Sequence, residues 1–377
     1  MLAQNTTRTQ PSTQPSANYQ AKPARRTHRR LLTPPLAQKN GIDPIQLILP
    51  QPEELPADLA PSNTAPNSTA PATIADYLIA RFYPNDPQII HARFDTGEVR
   101  LDDGTILTSD SPYMPGERIW YFRELADEPE LPSDMPVLYE DEHVLAIDKP
   151  HFLPTTPRGA YIAQTALTKL RVREQNPLLI PIHRLDRPTA GVLLFAKTVE
   201  ARRPFQMMFQ HRQVSKTYRA VAPVPADPAA AEQALSAEGL QVRSHIQKIR
   251  DQLQVQQLSE EQCAAQGVES NTLTTAKILR TFTPSAQAVE GWRAEPNREW
   301  ALYDLAPHTG KTHQLRAHLN MLGSPILGDV LYPQVLPDTP DRPEYPLQLL
   351  AYSLHFEHPI TGERVDLYSG RSLAAAA

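Results

Sequence analysis

The chain carries one cysteine, Cys263, in 377 residues. A lone thiol makes no intrachain disulfide and no multi-cysteine zinc site, which excludes disulfide-stapled secreted scaffolds, zinc fingers and zinc-dependent base deaminases. Long apolar runs are missing as well: one of the densest, Gly191 to Ala196, is strand-sized, far short of the roughly 20 residues that span a bilayer. There is no Gly-rich phosphate loop, no G-x-x-x-x-G-K-[ST] and no D-F-G, so the H-R-L-D at 183–186 does not make a kinase. Nor is there an excess of positive charge: 37 Lys and Arg stand against 42 Asp and Glu, a formal charge of -5. Any polyanion site must therefore be local.

Charge is unevenly placed. Residues 1–42 contain no acid but seven basic residues, among them Arg25, Arg26, Arg29 and Arg30. Their Gln, Thr, Ser and Pro background offers too little apolar surface to offset chain entropy, so 1–33 is expected to be a disordered basic tail. Residues 34–73 read as an extended segment, Ile42 to Pro50, followed by a low-complexity linker, APSNTAPNSTAPAT. A second charge bias lies between Arg158 and Ala220, where twelve basic residues face three acids, suited to a phosphate-tracking surface. Several of these, such as Arg171 and Arg173, read as the solvated face of a helix.

Helical spacing at Ile74 to Phe82, then short strand-like pieces punctuated by Gly97, Gly104 and Gly116, predict a small α+β module over 74–123. Its His91, Tyr113 and Trp120 are expected to be packing residues. Two strands follow, Val137 to Tyr139 and Val144 to Asp148, then a helix over Ala163 to Arg173. GVLLFAKT, Gly191 to Thr198, is suited to a buried central strand. A helix is expected over Glu200 to Gln210, and a strand over Lys216 to Val221 with Lys216, Tyr218 and Ala220 on one face. Residues 224–271, rich in Ala, Gln and Glu, look like a partly helical insertion. Strands resume at Ala276 to Thr281 and Glu299 to Leu305, and Thr312 is placed to cap a helix, HQLRAHLNML, ending at Gly323. The order predicts an α+β fold with a mainly antiparallel sheet rather than a doubly wound one.

Two segments concentrate chemistry. In Ile182 to Lys197, a polar turn precedes the buried strand, bringing Arg184, Asp186 and Arg187 within four residues, with Thr189 and Gly191 able to form a tight backbone turn. Taken alone it could equally be a solvated turn with a local ion pair. In Pro307 to Tyr332, Leu315, Leu319 and Leu322 form a buried helical stripe while His313, Arg316 and Asn320 take another face. A guanidinium on such a helix is a rigid donor fork for a carboxylate or phosphate.

These segments together resemble the RluA-type pseudouridine synthases. The family's H-R-L-D-x-x-T-x-G matches from His183 to Gly191, K-x-Y-x-A at Lys216 to Ala220, T-G-K/R-T-H-Q-L-R-x-H at Thr309 to His318, and G-S-P-I-L-G-D at Gly323 to Asp329. The closing LLAYSLHFEHPITGE, Leu349 to Glu363, fits too, so the resemblance spans 137–370, interrupted by 224–271. Ala190, Lys311 and Pro333 depart from common family residues without removing a proposed catalytic group. The 74–123 module faintly resembles the small α-L type RNA-binding domain that often precedes this catalytic domain.

The resemblance implies a cleft crossing the central sheet in which RNA uridine becomes pseudouridine, in rRNA or tRNA. It makes Asp186 the catalytic carboxylate, Tyr218 the residue that stacks on or hydrogen-bonds the base, and Arg316 the partner of Asp186. Arg184 would occupy the space left by the flipped nucleotide. Arg187, Lys216 and His313 are expected to contact RNA, and Leu315, Thr189 and Gly191 to shape the pocket. No metal or other cofactor is called for, and a cytoplasmic monomer with no membrane partner is expected. The reading from another class is a catalytically inactive RNA-binding or ribosome-assembly factor that kept the fold.

Overall fold

The computed structural model describes residues 34–56, 59, 71–125, 127–283, 285, 290–292, 295, 298–336 and 341–376. The basic tail 1–33 and most of the low-complexity linker lie outside the described residues.

A small unit comes first. Strand β1 (Ile45–Ile48), helices α1 (Ile74–Phe82) and α2 (Gln88–Asp95), and strands β2 (Arg100–Leu101) and β3 (Arg118–Tyr121) form a three-stranded sheet, ordered β1-β3-β2, under two helices. Thr73 caps α1, accepting from the Asp76 amide while the Asp76 carboxylate accepts from Thr73. Leu49, Ile74, Leu78, Ile90, Phe94 and Ile119 fill its core. Tyr113 packs against this core and donates to the Pro50 carbonyl, while Trp120 packs with Leu36 and Phe122 in a separate cluster and its indole donates to Asp102.

The larger unit is built on β4 (Val137–Glu140), β5 (Val144–Lys149), β6 (Ile180–Pro181), β7 (Ala190–Ala196), β8 (Val214–Pro223), β9 (Leu240–Gln247), β10 (Gln256–Ser259), β11 (Thr272–Phe282), β12 (Trp300–Pro307), β13 (Leu349–Glu357) and β14 (Arg364–Tyr368). They form one sheet, ordered β10-β9-β11-β12-β8-β13-β7-β5-β4, with β14 beside β13 and β6 beside β7. Among these pairs only β13 with β7 is parallel. All seven residues of β7 are buried, as a strand covered on both faces must be. Helices α3 (Ala166–Arg173), α4 (Val199–Gln210), α5 (Pro228–Leu235), α6 (Glu260–Gln266) and α7 (Gln314–Met321) pack around it.

Three expectations are corrected here. Residues 224–271 contain helices α5 and α6, but also strands β9 and β10, which extend the sheet itself. In β9 the residues Leu240, Val242, Ser244 and Ile246 are buried in alternation. Arg171 is not solvated: it is buried and donates to the carbonyls of Leu179 and Gly41 and to Asp43, tying α3 to the N-terminal unit. Thr312 does not cap α7; His313 holds the N-cap position in a left-handed conformation (φ 55°) and makes no side-chain cap.

Helix α7 is docked by a buried polar network rather than by leucines alone. His318, 1% exposed, lies 2.8 Å from Thr274 Oγ1 through Nδ1 and 2.9 Å from Ser244 Oγ through Nε2. Burial lowers its pKa to about 4. Between that value and the ordinary 6.5 the unfolded chain binds a proton that the folded one refuses, so this histidine makes stability fall as pH drops through that window. The contribution is bounded at about 3 kcal/mol. Urea unfolding of His318→Gln should show a shallower loss of stability over that window than the wild type; equal slopes would mean that His318 is not held neutral.

Candidate active site

The turn between β6 and β7 is held from behind by its main-chain oxygens. Thr155 donates to the Leu185 carbonyl (2.9 Å) and accepts from the Leu185 amide, Lys149 Nζ lies 3.3 Å from the Arg187 carbonyl, and His151 Nδ1 lies 2.6 Å from the Pro188 carbonyl. Lys149 is fully buried, also donating to the carbonyls of Pro150 and Leu153, and burial lowers its pKa to about 7 against the attraction of Asp186. Sequence reasoning missed this cradle. The turn closes with the Thr189 amide donating to the Asp186 carbonyl, and Gly191 has φ 115°, where a Cβ would sit 2.2 Å from the Ala351 carbonyl oxygen. Only glycine lets the turn enter the sheet beside β13.

Along this turn burial alternates: Arg184 is exposed, Leu185 buried, Asp186 partly exposed. Arg184 and Asp186 thus share the open side, both lining a cleft of about 2480 Å³. Asp186 Oδ2 accepts from Arg316 Nη1 at 3.3 Å across 130 residues of sequence. Arg316 is 2% exposed, yet it rises from α7 already paired: Nε and Nη2 donate to Asp329 at 2.7 and 2.6 Å. Burial alone would lower its pKa, but the hydrogen bonds and charge of Asp329, helped by Asp186, raise it. The Asp329 carboxylate is wholly enclosed and also accepts from the amides of Leu331 and Tyr332. Asp329, like the residues of the cradle, has a part in the site that sequence reasoning did not assign.

The remaining candidates divide. Tyr218, partly exposed on β8, has its phenol pKa raised by burial and then by the charge of Asp186. Lys216 lies two residues before it, its ammonium pKa lowered by burial, and Leu315 is buried in the cleft wall. His313 Nε2 stands 3.9 Å from Asp186 Oδ2, facing the carboxylate itself. Arg187 differs: its guanidinium is paired with Asp341, one contact being 2.9 Å, and lies over the Tyr161 ring. Around the mouth Arg158, Arg184, Arg212, Lys248, Arg250 and Lys311 are exposed. Among the described residues no cluster of three or more His, Cys, Asp or Glu side chains is arranged to hold a metal, and no helix is long and apolar enough to cross a membrane.

A carboxylate fixed by a buried arginine, next to a phenol and rimmed by cations, suits reaction on a nucleoside within a polyanion. Comparison with known proteins agrees. Residues 143–321 match the RNA pseudouridylate synthase family. The chain is 30% identical over 257 residues to an uncharacterised RNA pseudouridine synthase of Synechocystis, covering 68% of this chain and 78% of that protein. It is 30% identical to tRNA pseudouridine synthase C of Pasteurella multocida, covering 62% of this chain and 90% of that one. Against ribosomal large subunit pseudouridine synthase D of Vibrio vulnificus the figures are 28%, 72% and 79%. The chain therefore belongs to the RluA-type RNA pseudouridine synthases, isomerases that convert uridine in RNA to pseudouridine.

Proposed function

We propose that Asp186 carries the isomerisation, with Arg316 as its charge partner and Tyr218 as the ring against which the target uracil is held. The reaction breaks the bond from ribose C1′ to N1 and forms one from C1′ to C5. C5 gives up a proton and N1 takes one, so nothing is oxidised and no atom is lost. A carboxylate oriented by an adjacent guanidinium can act as nucleophile or base in such a sequence. The observation that carries this reading is the 3.3 Å contact of Arg316 with Asp186 on the open side of a rigidly held turn. Leu315, Thr189 and Gly191 shape the pocket, while Lys216 and the cationic rim draw in the phosphates. Arg187 would exchange Asp341 for a phosphate when RNA enters.

The substrate in this proposal is a structured element of tRNA or rRNA, the two classes that the names of the relatives point to. The catalytic unit over 137–370 works as a monomer in the cytoplasm, a compartment consistent with one buried, unpaired cysteine. The 74–123 module and the basic tail 1–33 add RNA contacts, the tail without reading sequence.

Arg184 is the residue we assign to base extrusion. It is exposed beside Asp186, with no ion pair or hydrogen bond among the described residues, so it is available to enter the stack as the uridine leaves it. Extrusion costs a few kcal/mol, least for a base already unstacked, so Arg184→Ala should slow turnover on a stem-loop by about 10- to 100-fold and on an unstacked target by only a few-fold. Equal losses on the two RNAs would assign Arg184 to holding the turn or a phosphate instead.

A further inference from the structure

We propose that His313 is a positioning residue for Asp186, acting as its Nε2–H tautomer. This rests on Asp186 being the reacting carboxylate. The tautomer follows from a chain of contacts. The Val255 amide donates to the Tyr332 hydroxyl at 3.0 Å, so that oxygen is already an acceptor and its own proton is free to be given away. His313 Nδ1 lies 3.3 Å from the same hydroxyl. An imidazole that accepts at Nδ1 carries its proton on Nε2. That nitrogen is 3.9 Å from Asp186 Oδ2, too long for a hydrogen bond in the free enzyme but well within charge reach. Contacts of this kind often tighten only when substrate is present.

Arg316 donates to the same oxygen, so both groups address Oδ2 and leave Oδ1 for the substrate. The backbone conformation fits this role. His313 sits at the N-cap of α7 with φ 55°, a left-handed geometry uncommon outside glycine, and its side chain leaves the helix amides uncapped. Turned this way, the imidazole meets Tyr332 edge-on at 5.9 Å and reaches the cleft.

Protonation would undo the arrangement. A proton on Nδ1 would face a hydroxyl that already accepts from Val255, and the resulting imidazolium would draw Asp186 into an ion pair. The charged groups facing His313 are Asp186 from the turn, Arg316 from α7, Asp329 from the loop after it and Lys248 after β9. Burial is the largest influence and, with Arg316 and Lys248, keeps the imidazole neutral to below its ordinary pKa despite the two acids. The wild type should therefore lose kcat on the acid side as His313 charges.

The test is kcat and KM against pH on one RNA for the wild type, His313→Gln and His313→Phe, with Asp186→Asn as control. Glutamine places an amide donor the same number of bonds from Cα as Nε2 and does not titrate. It should rescue most of the kcat that phenylalanine loses at neutral pH, and it should lose the acid limb assigned to His313. Phenylalanine should lose kcat on the order of 100-fold with KM little changed, the cost expected of a misplaced reacting group. The proposal is overturned if His313→Phe turns over normally, if its loss is confined to KM, or if His313→Gln keeps the wild-type acid limb. Turnover by Asp186→Asn would instead overturn the reading of Asp186 itself.

Discussion

Asp186→Asn is expected to lose more than about a thousandfold in turnover while binding RNA as well as the wild type, because the step removed is nucleophilic or proton-transfer chemistry rather than affinity. Asparagine keeps the shape of the side chain and can still accept from Arg316 Nη1, so the turn and its cradle of Lys149, His151 and Thr155 should survive. What is lost is the charge. Single-turnover assays on RNA, with circular dichroism as a check on folding, decide the matter: a tenth of the wild-type rate remaining in a folded variant would remove Asp186 from the chemistry. Unchanged RNA binding together with unchanged biological activity would favour a non-catalytic binding factor on this fold.

The second large effect is expected at Asp329. Its carboxylate is fully enclosed, binds Arg316 at 2.6 and 2.7 Å and accepts from two main-chain amides. Asp329→Ala strands a buried guanidinium and two N–H groups, a class of change that costs about 3–5 kcal/mol. Arg316 then has only Asp186 to pair with, so kcat should fall in whatever fraction remains folded. Combining Asp329→Ala with Arg316→Met replaces the pair by apolar side chains and should restore much of the stability without restoring activity. Urea midpoints and kcat for the single and double variants separate the two roles. If Asp329→Ala leaves both untouched, Arg316 does not depend on Asp329 for its place.

The two blocks proposed to carry the reaction were legible because their candidate groups are side chains. His183 to Gly191 and Thr309 to His318 place Asp186 and Arg316 on a turn and on a leucine-backed helix, and the fold brings them together. The cradle was not legible. Lys149, His151 and Thr155 act on carbonyl oxygens of the turn, and a main-chain partner leaves no mark in the sequence. Asp329 lay in a matched block, but its bond to a residue 13 positions earlier exists only in space.

Elsewhere local composition misled. The period-2 pattern of β9 was masked by Ser244 at a core position, where it is satisfied by Thr272 and His318, and by Ala- and Gln-rich neighbours. Arg171 reads as a surface cation until Gly41 and Asp43 arrive from the N-terminal unit. At Thr312 the capping rule failed because the helix begins one residue later, with His313 at the N-cap in a left-handed conformation.

Mapping pseudouridine across all RNAs tests the central claim most directly, in cells lacking this protein and in the same cells supplied with either the wild type or Asp186→Asn at equal levels. Pseudouridine should be absent from at least one tRNA or rRNA position without the protein, present with the wild type, and absent again with Asp186→Asn. Restoration of that position by Asp186→Asn, or an RNA modification pattern indifferent to all three conditions, would contradict the account.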